Sequence, residues 1–295
     1  MKEKIARFCG ECGYPAEAQQ ELLAVYAAIE KTSLVREVFV KAGERYAQSP
    51  QLDYLGILEE LKAACGQENI PVETASLLLF ICFVPQLYLY YAQQNLPERL
   101  CRESLMDLKW KLYECHKVRG IWGSFVSGWF SGFFDLTRFT LGRLQFELRP
   151  VPEGYMQAGR TPPPGVQQAI NMHIPSSGPL LHEQCLHSYR LAQEFFADAF
   201  PGGETVFICN SWLLFPEHWE FLPAHSHILE FMDDFDIYAS RTDPQGSDLW
   251  RIFGLPDCSD TANLPEETSL QRAYKGWLLS GKQPGTGNGL FILKN

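Results

Sequence analysis

Positive charge is scarce in this chain. Lys and Arg number 25 against 35 Asp and Glu, a formal net charge of −10 over 295 residues. A nucleic-acid binder needs a basic surface to neutralise phosphates, so that class is excluded, and docking on anionic lipid is disfavoured. An uninterrupted apolar span is also missing. The most apolar run, "LLLFICFVPQLYLYY" (Leu77–Tyr91), is broken by Pro85 and Gln86. It falls short of the roughly 18–20 residues that a membrane helix requires, which predicts a buried helix kinked at the proline. The first residues, "MKEKIARFCGECGYPAEAQQ", carry no apolar core followed by a small-residue cleavage site, so no secretory signal is expected. The nine cysteines are scattered, with one close pair at Cys9 and Cys12. Free thiols in a reducing cytoplasm are the expectation.

Several chemical signatures are absent as well. No Gly-Lys-Ser/Thr run marks a nucleoside triphosphate loop, and no three spaced glycines mark a dinucleotide fingerprint. Gly-x-Ser-x-Gly is missing, which argues against a serine hydrolase elbow. Cys9-x-x-Cys12 has no second pair at zinc-ribbon spacing, and His218, His225 and His227 have no evident acidic partner. No metal site is expected.

What remains is a globular chain, 46% hydrophobic and 20% charged, with material for a real core. The first part reads as successive helices: "YPAEAQQELLAVYAAIEK", "LVREVFVKAGERYAQ", "YLGILEELKAAC", the apolar run after Pro71, and "PERLCRESLMDLKWKLYECHKVRG". In the last of these Leu105, Leu108, Leu112 and Cys115 recur at three- and four-residue steps, and Gly120 is a stop signal. Consecutive helices with short links predict a bundle.

The pattern changes near Trp122. After the aromatic and glycine stretch "WGSFVSGWFSGFF", Leu144, Phe146 and Leu148 alternate with Arg143, Gln145, Glu147 and Arg149, which predicts a strand with one wet face. Phe139 and Leu141 fall on the opposite parity, as a bulge near Gly142 would explain. A second strand is expected over "VQQAINMHIP", with Ile170, Met172 and Ile174 on one face and Ala169, Asn171 and His173 on the other. A helix should begin near Pro179, with Leu181, Cys185, Tyr189, Ala192 and Phe196 on one stripe. Further strands are expected at "ETVFICNSWLL", at "FDIYAS" paired with "DLWRIFG", and at "GLFIL", with helices at "HSHILEFMDDF" and "SLQRAYKGWLLSG". The expectation is an α+β chain of two domains, a helical bundle over residues 1–131 and a mixed α/β domain over residues 132–295.

One junction stands out. "IPSSGPL" joins a strand to a helix, and the first N–H groups of a helix have no internal partners and carry positive partial charge. Gly178 allows close backbone approach, and Ser176 and Ser177 can cap the helix or bind a phosphate oxygen. A glutamate at 178 is expected to block such a site and leave folding intact.

From about Trp122 onward the chain resembles the GNAT acyltransferase superfamily. It is most similar to a bacterial group that pairs a helical N-terminal domain with a GNAT-like C-terminal domain. The residues that carry the resemblance are "LGRLQFELRP", "INMHIPSSGPL" and "FICNSWLL". The superfamily turn is Arg or Gln, two residues, Gly, one residue, Gly or Ala; here a single glycine remains and no basic residue precedes it.

The resemblance implies an acyl-coenzyme A cosubstrate with no tightly bound cofactor. The turn Ile174, Ser176, Ser177, Gly178, Pro179, Leu180 would hold the pyrophosphate, and the pantetheine arm would lie between this strand and the next. The acyl group would pass by direct attack to an amine on a small molecule or peptide. His173 is the leading base, because its parity differs from the core-facing Ile170, Met172 and Ile174, and Glu147 is second. Asn210 and Ser211 are candidates to orient the acceptor or protonate the departing thiolate. The alternative is a scaffold without catalysis, whose helical domain docks a partner.

Overall fold

The computed structural model describes residues 1–294. Its Cα packing divides the chain into two units, Met1–Phe139 and Thr140 onward.

The first unit contains six long helices: α1 (Lys2–Glu11), α2 (Ala16–Ile29), α3 (Leu34–Gln48), α4 (Tyr54–Glu68), α5 (Val72–Gln93) and α6 (Glu98–Arg119). Their ends follow local chemistry. Asp53 caps α4 by accepting from the Gly56 N–H at 2.9 Å. Asn69 (φ +53°) and Gly120 (φ +71°) close α4 and α6 in the left-handed conformation. The Glu68 carboxylate, on α4, accepts from the N–H groups of Ser33, Leu34 and Val35 and so satisfies the start of α3 from outside that helix.

The α5 helix runs unbroken through Pro85. It has 22 residues, and its most apolar 18-residue stretch has a mean hydropathy of 1.7, so it is long and apolar enough to cross a membrane, which corrects the sequence estimate of its length. Its apolar residues lie all round the axis, which suits a helix surrounded by protein. The other five helices pack against it, and 61% of its most apolar window is buried. Tyr46, Phe80, Phe83, Phe130 and Phe134 form one aromatic cluster there, and the Tyr46 hydroxyl donates to the Phe134 carbonyl at 2.9 Å. The aromatic and glycine stretch therefore builds the core of the helical unit. Gly123 lies flat on the start of α5, where a Cβ would come within 2.5 Å of the Glu73 carbonyl carbon.

From Arg138 onward the chain forms a six-stranded mixed sheet: β1 (Arg138–Leu141), β2 (Leu144–Pro150), β3 (Gln168–His173), β4 (Glu204–Ser211), β5 (Asp236–Thr242) and β6 (Gly285–Lys294), in the order β1-β2-β3-β4-β6-β5. The parity change at Gly142 is not a bulge. Gly142 (φ +72°) and Arg143 form the two-residue turn between β1 and β2, and reversing the chain there resets the alternation. The helices that matter here are α7 (His182–Phe195), α8 (His227–Met232), α9 (Leu249–Phe253) and α10 (Ser269–Leu279). The pattern of "DLWRIFG" predicts a strand beside "FDIYAS", but Leu249–Phe253 is helical and β5 pairs with β6 instead. Five residues ending at a left-handed Gly254 (φ +68°) close as a capped turn.

Tyr189 of α7 packs on Phe207 and Phe291, and those two rings stack at 4.8 Å, so α7 is held against β4 and β6. Cys185 and Ala192 lie buried on the same face, whereas Leu181 is exposed. β6 carries glycine at 285, 287 and 289 on one face. A Cβ at 287 would run into the Leu214 carbonyl and one at 289 into Phe235, so the bare strand lets the Trp212–Leu214 turn and Phe235 lie directly on the sheet.

Candidate functional site

β2 and β3 pair antiparallel, with Glu147 opposite Asn171 and Gln145 opposite His173. This register brings Asn171 and His173 of β3 to Glu147 of β2, where Arg149 of the same strand joins them. Glu147 Oε1 accepts from Asn171 Nδ2 at 3.1 Å and Arg149 Nε at 3.1 Å, and lies 3.0 Å from His173 Nε2. The face expected to be wet is not. Gln145 is 2% exposed and Glu147 3%, although Arg149 at the strand end is open. A carboxylate is tolerated at that depth because donors converge on it. His173 is half-buried above it.

Beyond Asn171 the sheet opens. β3 and β4 run parallel, but their ladder is confined to Ile170↔Phe207 and Asn171↔Ile208. β3 continues to His173 and β4 to Ser211, so the strands part where β3 leads into "IPSSGPL".

The turn differs from expectation in two respects. The helix starts at His182 with Leu181 as its N-cap residue, so Ser176 and Ser177 do not cap it. Ser176, Gly178 and Pro179 are exposed, and Ile174, Ser177 and Leu180 half-buried, in the loop before the helix. Gly178 has φ +119°, and a Cβ there would meet open space. Approach from solvent is therefore unobstructed. Any side-chain-bearing residue would still be strained, so glutamate at 178 is not neutral to folding as expected.

The sequence reading missed Arg143. Placed at the β1–β2 turn, its guanidinium reaches across to the turn and donates to three backbone carbonyls: Pro175 at 2.9 Å through Nη1, Gly178 at 2.7 Å through Nη2, and Pro179 at 3.1 Å through Nε. Its own N–H donates to Ser188 Oγ at 2.8 Å, which ties the turn to α7. Burial lowers the Arg143 pKa. No local pattern marks this residue, because its partners lie more than thirty positions away. Asn171 and Arg149 did carry a signal, since each is two residues from a chosen candidate and so shares its strand face. The helix start is anchored from another side, where His182 Nε2 lies 2.9 Å from Asp234 Oδ1 and the Tyr189 hydroxyl donates to Asp234 Oδ2 at 2.9 Å.

The other candidates have separate partners. Asn210 Nδ2 donates to Asn288 Oδ1 across β4 and β6. Ser211 Oγ accepts from the Leu213 N–H at 3.1 Å and caps the following turn. His218 is fully buried against the Tyr274 hydroxyl, and burial lowers its pKa to about 4. His227 does have an acidic partner, with Nδ1 2.9 Å from Glu230 Oε2. Among the described residues no cluster of His, Cys, Asp and Glu has the makings of a metal site. All nine cysteines are free. Burial pushes the Cys185 and Cys209 thiols up to about 11 and 12, away from the thiolate form.

A helical unit followed by a mixed sheet whose two central parallel strands diverge beside a turn and a helix is a GNAT-type architecture. Residues 138–291 match the family model for the GNAT-like C-terminal domain, which covers more than half of the chain, and the chain belongs to that family. Residues 3–136 match the N-acyltransferase N-terminal domain. No curated protein matches the sequence. Among solved structures, an acyltransferase in complex with decanoyl-CoA and teicoplanin is similar with a TM-score of 0.75 and 21% identity, over 97% of this chain and 86% of that one. An acyltransferase mutant in complex with octanoyl-CoA gives 0.77 and 20%, over 99% and 88%. An acyltransferase in complex with decanoyl-CoA gives 0.75 and 22%, over 96% and 85%. The likeness to these structures is one of fold.

Proposed function

We propose that this protein is an acyl-CoA-dependent N-acyltransferase acting by direct attack. The observation that carries this reading is the parting of β3 from β4 after Asn171↔Ile208, at the strand end that enters the Ser176–Gly178 turn. A pantetheine arm is a narrow chain with amide groups, and two strands that stop pairing offer it unpaired backbone donors and acceptors. The turn and the start of α7 offer the pyrophosphate an open backbone.

In the reaction, an acceptor amine attacks the thioester carbonyl. A C–N bond forms, the C–S bond breaks, and coenzyme A leaves as the thiolate, which takes up a proton. The proton lost by the amine goes to His173. Nε2 of that ring lies 3.0 Å from Glu147 Oε1 and 3.1 Å from Asn171 Nδ2, and these two contacts hold the ring in place. Glu147 holds the ring and stabilises the imidazolium that forms, as a buried carboxylate does for a catalytic histidine elsewhere. A cysteine acyl-enzyme is disfavoured by the raised thiol pKa values of Cys185 and Cys209.

The similar structures hold octanoyl- and decanoyl-CoA, which supports medium-chain donors ahead of acetyl-CoA. One also holds teicoplanin beside the donor, which supports an amine acceptor on a small molecule or peptide. The free, mostly buried cysteines support work in a reducing compartment such as the cytoplasm.

Calorimetric titration with acetyl-, octanoyl- and decanoyl-CoA tests the reading. Saturable binding of at least one donor is expected. Absence of binding by all three would leave a GNAT-like scaffold.

A further inference from the structure

One side chain, Arg143, donates three hydrogen bonds to three carbonyls of a single turn, those of Pro175, Gly178 and Pro179. Each of those peptides is trans, since the chain contains no cis bond. In a trans peptide the N–H points opposite to its own C=O. Holding the Pro175 and Pro179 carbonyls on the arginine side therefore turns the N–H groups of Ser176 and Leu180 to the other side. Among the described residues no backbone carbonyl accepts from the N–H of Leu180. Gly178 sits between the two peptides with open space at its Cβ position. The fork geometry is specific to arginine, because a lysine ammonium is a single point that cannot span three fixed oxygens. The guanidinium also places a full positive charge against a turn whose own sequence contains none.

We infer that Arg143 is the positioning residue that makes this turn selective for the diphosphate end of the acyl donor. It acts by fixing the backbone donors of Ser176–Leu180 and by supplying the charge behind them. The inference rests on the acyl-transfer reading and adds to it a division of labour. Arg143 governs the diphosphate, and the parted strands govern the pantetheine and acyl chain.

The division can be read from two donors that differ only at that end, decanoyl-CoA and S-decanoyl-pantetheine, titrated into the full chain. Arg143→Ala and Arg143→Lys should each weaken decanoyl-CoA binding at least about tenfold, with S-decanoyl-pantetheine unchanged within about twofold. A purely structural role would weaken both donors alike. If the alanine variant does not fold, the lysine variant carries the same comparison. Unchanged decanoyl-CoA affinity in a folded variant, parental affinity in Arg143→Lys, or equal losses for both donors overturns the inference while the acyl-transfer reading stands. A parent that binds neither donor overturns both.

Discussion

His173 and Glu147 meet on a diagonal. The register partner of Glu147 is Asn171 and that of His173 is Gln145, yet Nε2 of the histidine lies 3.0 Å from Oε1 of the glutamate. The contact thus spans two rungs of the ladder, and Asn171 fills the space between by donating to the same oxygen. A diagonal of this kind is within reach of long side chains on one face of an antiparallel pair. It fixes the ring by the register of two strands and not by a loop.

That relationship sets the first prediction. His173→Ala should lower kcat by about 10²–10⁴-fold, the usual contribution of a general base, with donor affinity retained. Glu147→Gln should also lower kcat, because the amide cannot stabilise an imidazolium by charge. Steady-state kinetics beside donor titration separates the effects. Equal loss of binding in His173→Ala would remove it from the chemistry.

The turn gives the second. Ser177→Glu should weaken decanoyl-CoA at least about tenfold, or about 1.4 kcal/mol, by like-charge repulsion, with little change in Tm. Gly178→Glu should show the same weakening and also lose about 1–3 kcal/mol of stability, because its φ of +119° strains a residue with a Cβ. Thermal melts of the two variants distinguish backbone strain from repulsion.

Close backbone approach gives the third. Gly287→Ala should destabilise the second unit and Gly123→Ala the first, each by about 1–3 kcal/mol, since both place a methyl group against rigid backbone. A neutral result at Gly287 in chemical denaturation would mean that the Trp212–Leu214 turn yields easily.

The fourth concerns acid. Burial lowers the His218 pKa from 6.5 to about 4, so between those values the unfolded chain binds a proton that the folded chain does not. Stability should be constant above this window and fall as pH drops through it, by about 3 kcal/mol at the acid end. His218→Gln should lose that part of the slope. Glu68 acts in a lower window. Partial desolvation pushes its carboxyl up, but the N–H groups of Val35, Leu34 and Ser33 outweigh this and hold its pKa at about 2. Its contribution is present above 4.5 and is lost as pH falls toward 2. Tm measured against pH for the parent, His218→Gln and Glu68→Gln separates the two windows.

The helices and most strands were legible because their signals are local. Leu105, Leu108, Leu112 and Cys115 repeat at helical spacing and are all buried, and Gly120 stops α6. Ile170 and Met172 alternate with His173 and Asn171 as expected. Alternation misled at Gln145 and Glu147, because a polar residue in a strand can face water or a cluster of donors, and the pattern is the same for both. "DLWRIFG" misled because a short apolar run has no period long enough to tell strand from helix. The pairing of Glu68 with the start of α3 was hidden because its partners are distant in the chain. The glycines of "GTGNGLF" were in view, but what presses on them was not.

The arginine at the β1–β2 turn touches only main-chain oxygens within "IPSSGPL". Those atoms are common to every amino acid, so the residues at 176 and 177 can be exchanged without altering a single one of the three bonds. The address of the turn is therefore written elsewhere, at position 143. Replacing Ser176 or Ser177 leaves that address in place, whereas replacing Arg143 removes it.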